Sequence, residues 1–284
     1  MRRQHIWLLL VLLAPQLVAG CAGVDYVSVA HSGLKVATKA VAASRPISDS
    51  EEYYVGRAVA ARVLSTYPLY QDQQLTLYVN EVGQAVARKS SRPNPFKGYH
   101  FAVLDTTEVN AFACPGGIIF ITRGLLKTCT TEDELAAVLA HEVGHVTNKD
   151  GINSISKARW TEVLTTIGTE AAKQFAGPAG GLVTLFEGSI DDVFKTIVVN
   201  GYSRTAEAAA DQEAAVILGR AGYDPGALAA LLTKMAEQDK GSGGIFKTHP
   251  PTSERLAKVK AAGTEGAPSK EMAARSKRFQ SQKL

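Results

Sequence analysis

Two histidines one helical turn apart, His141 and His145, follow a stretch that has no helix breaker from Leu135 up to them. The run Thr131-Glu132-Asp133-Glu134-Leu135-Ala136-Ala137-Val138-Leu139-Ala140 leads directly into His141-Glu142-Val143-Gly144-His145. Thr131 and Glu134 have the spacing of a capping box that starts a helix. On that helix, residues four apart share one face, so both imidazoles can aim a nitrogen at a single ion about 2.0–2.1 Å away, the distance zinc requires. Glu142 projects beside such an ion and not onto it, where a general base for an activated water belongs. Burying two imidazoles and a carboxylate in an Ala- and Val-rich helix is costly unless a metal or polar partners satisfy them. The fold must therefore bring another element against this helix.

A catalytic zinc takes three protein ligands and keeps one position open. No histidine follows His145 closely enough to complete a three-histidine site. The stretch Arg204-Thr205-Ala206-Glu207-Ala208-Ala209-Ala210-Asp211 offers two carboxylates four apart among alanines. Small residues there, and Gly144 opposite, would let two helices approach closely. Glu207 is expected as the third ligand, and Asp211 as acceptor for the other N–H of a ligand histidine. The plain alternative is a pair of solvated acids on an exposed helix.

The beginning of the chain speaks to location. Arg2 and Arg3 precede an unbroken apolar run, Ile6 to Ala14, that Pro15 and Gln16 end. Such a run is too short to span a bilayer and fits the core of a signal peptide. Leu17-Val18-Ala19-Gly20-Cys21 then resembles the bacterial lipobox, whose cysteine is acylated and becomes the new N-terminus. An ordinary secretory signal with an incidental cysteine is the alternative. Ala22, where an aspartate would retain the protein at the inner membrane, favours the periplasmic face of the outer membrane by the Gram-negative sorting rule. No later stretch reaches the roughly 18 consecutive apolar residues of a spanning helix. Phe175 to Phe186 is apolar but Gly-rich, with Pro178 inside it, and reads as a packed segment. Cys114 and Cys129 remain, either bridged or as two separate buried thiols.

The 284 residues, 45% hydrophobic and 20% charged, exclude a wholly disordered chain and give no sign of a multi-span membrane protein. Leaving out Arg2 and Arg3, basic residues number 29 against 27 acidic, which is no nucleic-acid footprint. The expected partition is a signal peptide over 1–20, a lipid-anchored tether over 21–47, one domain over 48–262 and a mobile basic tail over 263–284. Ser48 and Glu51 cap a helix from Asp49 to Leu64, and a second helix runs from Asp72 to Ser90. Strands are expected over Tyr99 to Leu104 and Ile118 to Thr122, with mostly helix from Thr131 onward. No repeat of 20 to 50 residues suggests a solenoid.

Taken together, these elements resemble the HtpX-like and CAAX-prenyl-protease superfamily of gluzincins, nearest its single-domain outer-membrane lipoproteins. The matching residues are Asn110 to Gly117, Gly124 to Leu126, His141 to His145, Ser203 to Asp211, and Thr248, His249, Pro250 with Arg255. The resemblance covers roughly residues 48 to 260. Cys114 at a variable place and the lack of an HtpX-type membrane helix depart from it. It implies an α+β, mostly helical zincin-like domain with a small β-sheet edging the cleft. It implies one Zn(2+) per chain on His141, His145 and Glu207, and endopeptidase activity on misfolded or unassembled envelope proteins. Pro115, Gly116 and Gly117 would form an exposed edge onto which a substrate strand adds. His249, fixed between Thr248 and two prolines, would lie over the metal, either donating to the oxyanion or occupying the open metal position. The rival reading is an envelope lipoprotein that binds zinc and acts mainly as a chaperone or latent protease. A structural protein without metal is a further one.

Overall fold

A computed structural model describes residues 46–155, 190–238, 248–249, 253–262 and 270–282. The signal, nearly all of the tether and the Phe175 to Phe186 segment lie outside these residues.

Helix α1, Asp49–Thr66, begins at the capping box: Glu51 N donates to Ser48 Oγ (3.3 Å) and Ser48 N to Glu51 Oε2 (2.8 Å). Helix α2, Gln73–Ala87, starts where Asp72 accepts from Leu75 N, and stops short of Ser90 because Ser90 turns back onto the Ala87 carbonyl. Strands β1 (His100–Leu104), β2 (Ala111–Cys114) and β3 (Ile118–Thr122) form a sheet in the order β1-β3-β2. β3 runs parallel to β1 and antiparallel to β2. A short α3, Arg123–Thr128, leads to α4, Glu132–Thr147, and a single turn α5, Asp150–Asn153. A π turn at Thr196–Asn200 precedes α6, Arg204–Ala221; then come α7 (Ala227–Gln238), α8 (Ser253–Ala262) and α9 (Lys270–Gln280).

The fold is the mostly helical α+β zincin-like arrangement expected. α4 is its axis: every residue from Glu132 to Val146 is buried, under α6, α2, α7, α9 and the sheet. A helix covered on all sides is the way an uninterrupted apolar run is accommodated in a globular protein. Two apolar clusters flank the sheet. Phe101, Val103, Ile119 and Ile121 pack with α2, α4, α6 and α7, while Leu104, Phe112 and Phe120 pack with Val55, Val59 and Val63 of α1.

Three expectations need correction. Pro115, Gly116 and Gly117 are buried, not an exposed edge. Their smallness admits α1: a Cβ on Gly56 would stand 1.7 Å from the Pro115 carbonyl oxygen, and one on Gly116 2.6 Å from Tyr53 Cα. Gly116 has φ 76°, a conformation natural to glycine, and its N–H donates to Glu52 Oε1 at 3.1 Å. Next, the tail is not a loose basic segment over its described part. α9 docks on the start of α4 through buried Phe279, with Arg275 donating to Asp133 (2.8 and 3.0 Å) and Arg278 to Glu132 (2.7 Å). The acids that favour the positive end of α4 are buried, and these cations answer them. Finally, the capping box of α4 is half formed. Thr131 Oγ1 accepts from Glu134 N at 3.1 Å, but the Glu134 carboxylate takes Thr130 N (2.6 Å) and Lys234 Nζ (2.7 Å) instead. Cys114 and Cys129 are both free, buried thiols.

Candidate metal centre

Gly144 decides how near α6 can come to α4. A Cβ there would stand 2.9 Å from the Ala210 carbonyl oxygen, so the two backbones touch. That contact places Glu207 and Asp211, both buried, against the face of α4 that carries His141 and His145. His141 Nε2 and His145 Nε2 are 3.1 Å apart, and each has a Glu207 oxygen at 3.5 Å. His249 arrives from the other side, its Nδ1 2.9 Å from Glu207 Oε1 and 3.3 Å from His141 Nε2. Two hydrogen bonds hold Thr248 and His249 in place. Thr248 Oγ1 donates to Asn110 Oδ1 (3.2 Å), and Arg255 donates to the His249 carbonyl (3.0 Å).

The outer edge of the His145 ring fixes its tautomer, and a carboxylate also faces that of His141. His145 Nδ1 lies 2.8 Å from Asp150 Oδ2, and a carboxylate can only accept, so Nδ1 carries the hydrogen. His141 Nδ1 is 3.0 Å from Asp211 Oδ1, close but out of line for a good bond. Arg255 holds Asp211 more fully, with Nε 2.6 Å from Oδ2 and an Nη 2.9 Å from Oδ1, and a second Nη 2.9 Å from Glu207 Oε2. Burial opposes ionisation of Asp211, but His141 and Arg255 outweigh it and bring its carboxyl down to about 2. Burial likewise opposes charge on His141, and the carboxylates of Asp211 and Glu207 overcome it, raising the ring to about 10. Glu207 is driven far below the ordinary carboxylate range despite burial, by His249 first and then by the other two histidines that face it.

This chemistry fits a metal. With hydrogen on the outer nitrogens, the lone pairs of two buried Nε2 atoms converge at 3.1 Å, which only a cation or a shared proton makes tolerable. Bonds of about 2.0–2.1 Å to a tetrahedral ion put neighbouring donors about 3.3 Å apart. The donor atoms of His141, His145, Glu207 and His249 all lie within 4.8 Å of one another. Glu142 stands outside that group, fully buried, and among the described residues neither of its carboxylate oxygens has a hydrogen-bond partner. Beside it is a cavity of about 10 Å³, walled on the apolar side by Leu228, Leu231, Leu232 and Met235, room for about one water. Of the residues singled out in the sequence, the structure brings together His141, Glu142, His145, Glu207, Asp211 and His249. Pro115, Gly116 and Gly117 serve α1 instead, and Cys21 lies outside the described residues.

Three residues escaped the sequence reading. Asp150 was hidden because its link to His145 depends on where α4 ends. Tyr202, whose ring lies 4.3 Å from that of His145, carries no sequence signal. Arg255 was quoted in a motif without a role, although two buried acids on one helix call for a cation.

A buried helix pair offering two imidazoles, a carboxylate from the second helix and a buried glutamate beside them defines a zincin-like metallopeptidase domain. The chain belongs to peptidase family M48, whose profile matches residues 73–262. The beta-barrel assembly-enhancing protease of Escherichia coli (strain K12) is 29% identical over 221 residues, 76% of this chain and 44% of that one. Metalloprotease LoiP of the same strain is 28% identical over 190 residues, 66% of this chain and 69% of its own. A protease HtpX homolog from Arthrobacter sp. (strain FB24) is 25% identical over 240 residues, 73% of this chain and 79% of that protein. The chain spans less than half the length of the beta-barrel assembly-enhancing protease.

Proposed function

We propose that this protein is a zinc-dependent endopeptidase of the bacterial envelope, held by lipid at Cys21, that cuts misfolded or unassembled envelope proteins. The observation that carries the reading is the convergence of two imidazole lone pairs and Glu207 beside a buried Glu142 whose carboxylate accepts no hydrogen bond among the described residues and has His249 Nε2 at 3.8 Å. His141, His145 and Glu207 hold the ion, and Asp211 orients His141. When bound, zinc supplies a Lewis acid and makes a water acidic near neutral pH. Glu142 takes the proton of the attacking water on its carboxylate and hands it to the nitrogen of the leaving amine. The relatives, a protease that enhances β-barrel assembly among them, support protein substrates and an envelope setting.

A second reading, a latent form of the same enzyme, rests on one contact. His249 Nδ1 is 2.9 Å from Glu207 Oε1, inside the donor group, where a catalytic site leaves room for water. Casein hydrolysis with zinc content measured in parallel tests both. Glu142→Gln is expected to abolish cleavage and keep zinc at the wild-type level; loss of zinc would make Glu142 a ligand and sink the mechanism. In the same assay His249→Ala raises the rate if the ring blocks the site, and lowers it if the ring donates to the oxyanion.

A further inference from the structure

Helix α4 ends in an unusual way. Lys149 is the single non-glycine residue with positive φ among the described residues, at φ 56°, ψ 32°. Glycine or asparagine ordinarily takes that place after a helix, because a side chain is crowded there. Here a lysine takes it and its side chain is anchored: Lys149 Nζ is 2.9 Å from Asp49 Oδ1 and 3.4 Å from Glu52 Oε2, both on α1. Glu52 is buried and is itself gripped at two points by Arg92, at 2.9 Å each. The next residue is Asp150. Had α4 continued, a side chain five positions beyond His145 would lie about 140° round the axis from it. The left-handed turn at Lys149 instead brings Asp150 Oδ2 to 2.8 Å from His145 Nδ1. Lys149 then starts α5, its carbonyl accepting from Asn153 N at 2.9 Å, and α5 is seated where a Cβ on Gly151 would meet the Pro115 ring at 3.0 Å.

We propose that Lys149 and Asp150 form a positioning device for His145, in which the α1 carboxylates hold the left-handed turn that aims Asp150 at the ring. Asp150 fixes the hydrogen on Nδ1 and the angle of the ring in its plane, and Tyr202 covers the ring face at 4.3 Å. Nε2 is thereby presented to the ion with its lone pair free. The inference rests on the zinc site proposed above. Lys149 and Asp150 are positioning residues and touch no reacting atom.

Zinc affinity of the full chain, read by competition with a chromogenic chelator, tests it. Asp150→Ala should weaken binding by about 10- to 100-fold. Asp150→Asn, whose amide oxygen accepts the same Nδ1–H, should recover most of that loss. Lys149→Gly, which adopts the turn freely, should bind close to wild type, whereas Lys149→Val, which resists it, should fall toward Asp150→Ala. The visible spectrum of the cobalt-loaded protein should change in Asp150→Ala and Lys149→Val and not in Lys149→Gly. Melting of the metal-free variants shows which are folded. Folded Asp150→Ala that binds zinc like wild type, or equal losses in Asp150→Ala and Asp150→Asn, overturns the inference while leaving the site intact. Wild-type protein that takes up no zinc overturns the zinc site itself.

Discussion

Asp211 is where a bland account of α6 and a functional one part most clearly. Solvated on a helix face, it would be dispensable; buried between His141 and Arg255, it has no substitute. Asp211→Ala is expected to lower zinc affinity by about 10- to 100-fold. Glu207→Ala should do worse, because a ligand is lost and Arg255 is left with Asp211 as its one remaining carboxylate of the pair. Glu213, two residues on, accepts from Ser91 N and Oγ at 2.8 and 2.9 Å, and Glu213→Ala should bind zinc as the wild type does. The three titrations in that order decide the matter, and normal binding by Glu207→Ala would remove the ligand set altogether. Glu207, Asp211, His141 and His145 were legible because their spacing is helical and their setting apolar, whereas His249 was placed by family resemblance alone. Asp150 was not, since nothing in the order of residues announces a left-handed lysine.

At the scale of elements, the contact of α4 with α6 carries the site. Gly144→Ala would push a methyl into the Ala210 backbone, which cannot give way as a flexible side chain would. The expected cost is about 1–3 kcal/mol of stability, with zinc affinity reduced because Glu207 recedes from His141. A variant that melts and binds zinc like wild type would show that the approach is not limiting. The long elements α1, α2 and α4 were readable from caps and apolar spacing, to within a few residues at the ends. β2 was not: Ala111–Cys114 is buried at every position, so it lacks the alternation that marks a half-exposed strand. α9 was missed for the opposite reason. Its charged, Ala-rich surface looks solvated, and only the structure shows that Arg275 and Arg278 end on carboxylates buried at the start of α4. The Pro-Gly-Gly element was recognised as a place for close backbone approach, but which backbone approaches is a matter of packing that sequence does not encode.

For the molecule as a whole, the proposed attachment to a membrane depends on Cys21. Cys21→Ser should release the protein from the membrane fraction or leave it as unprocessed precursor; continued labelling with palmitate would rule out acylation at that thiol. Among the described residues no helix is long and apolar enough to cross a membrane.

The proposed ligands come from three stretches of chain: α4, α6 and, if His249 joins, the loop before α8. An ion shared by them is a cross-link as well as a catalyst, tying segments that are distant in sequence. Bound at a free concentration a thousand times its dissociation constant, such an ion adds about 4 kcal/mol to the folded state. Its departure would thus disarm the enzyme and loosen it in the same event. Stripped of metal, a peptidase built this way moves toward the sort of slackened chain that its metal-loaded neighbours are proposed to cut.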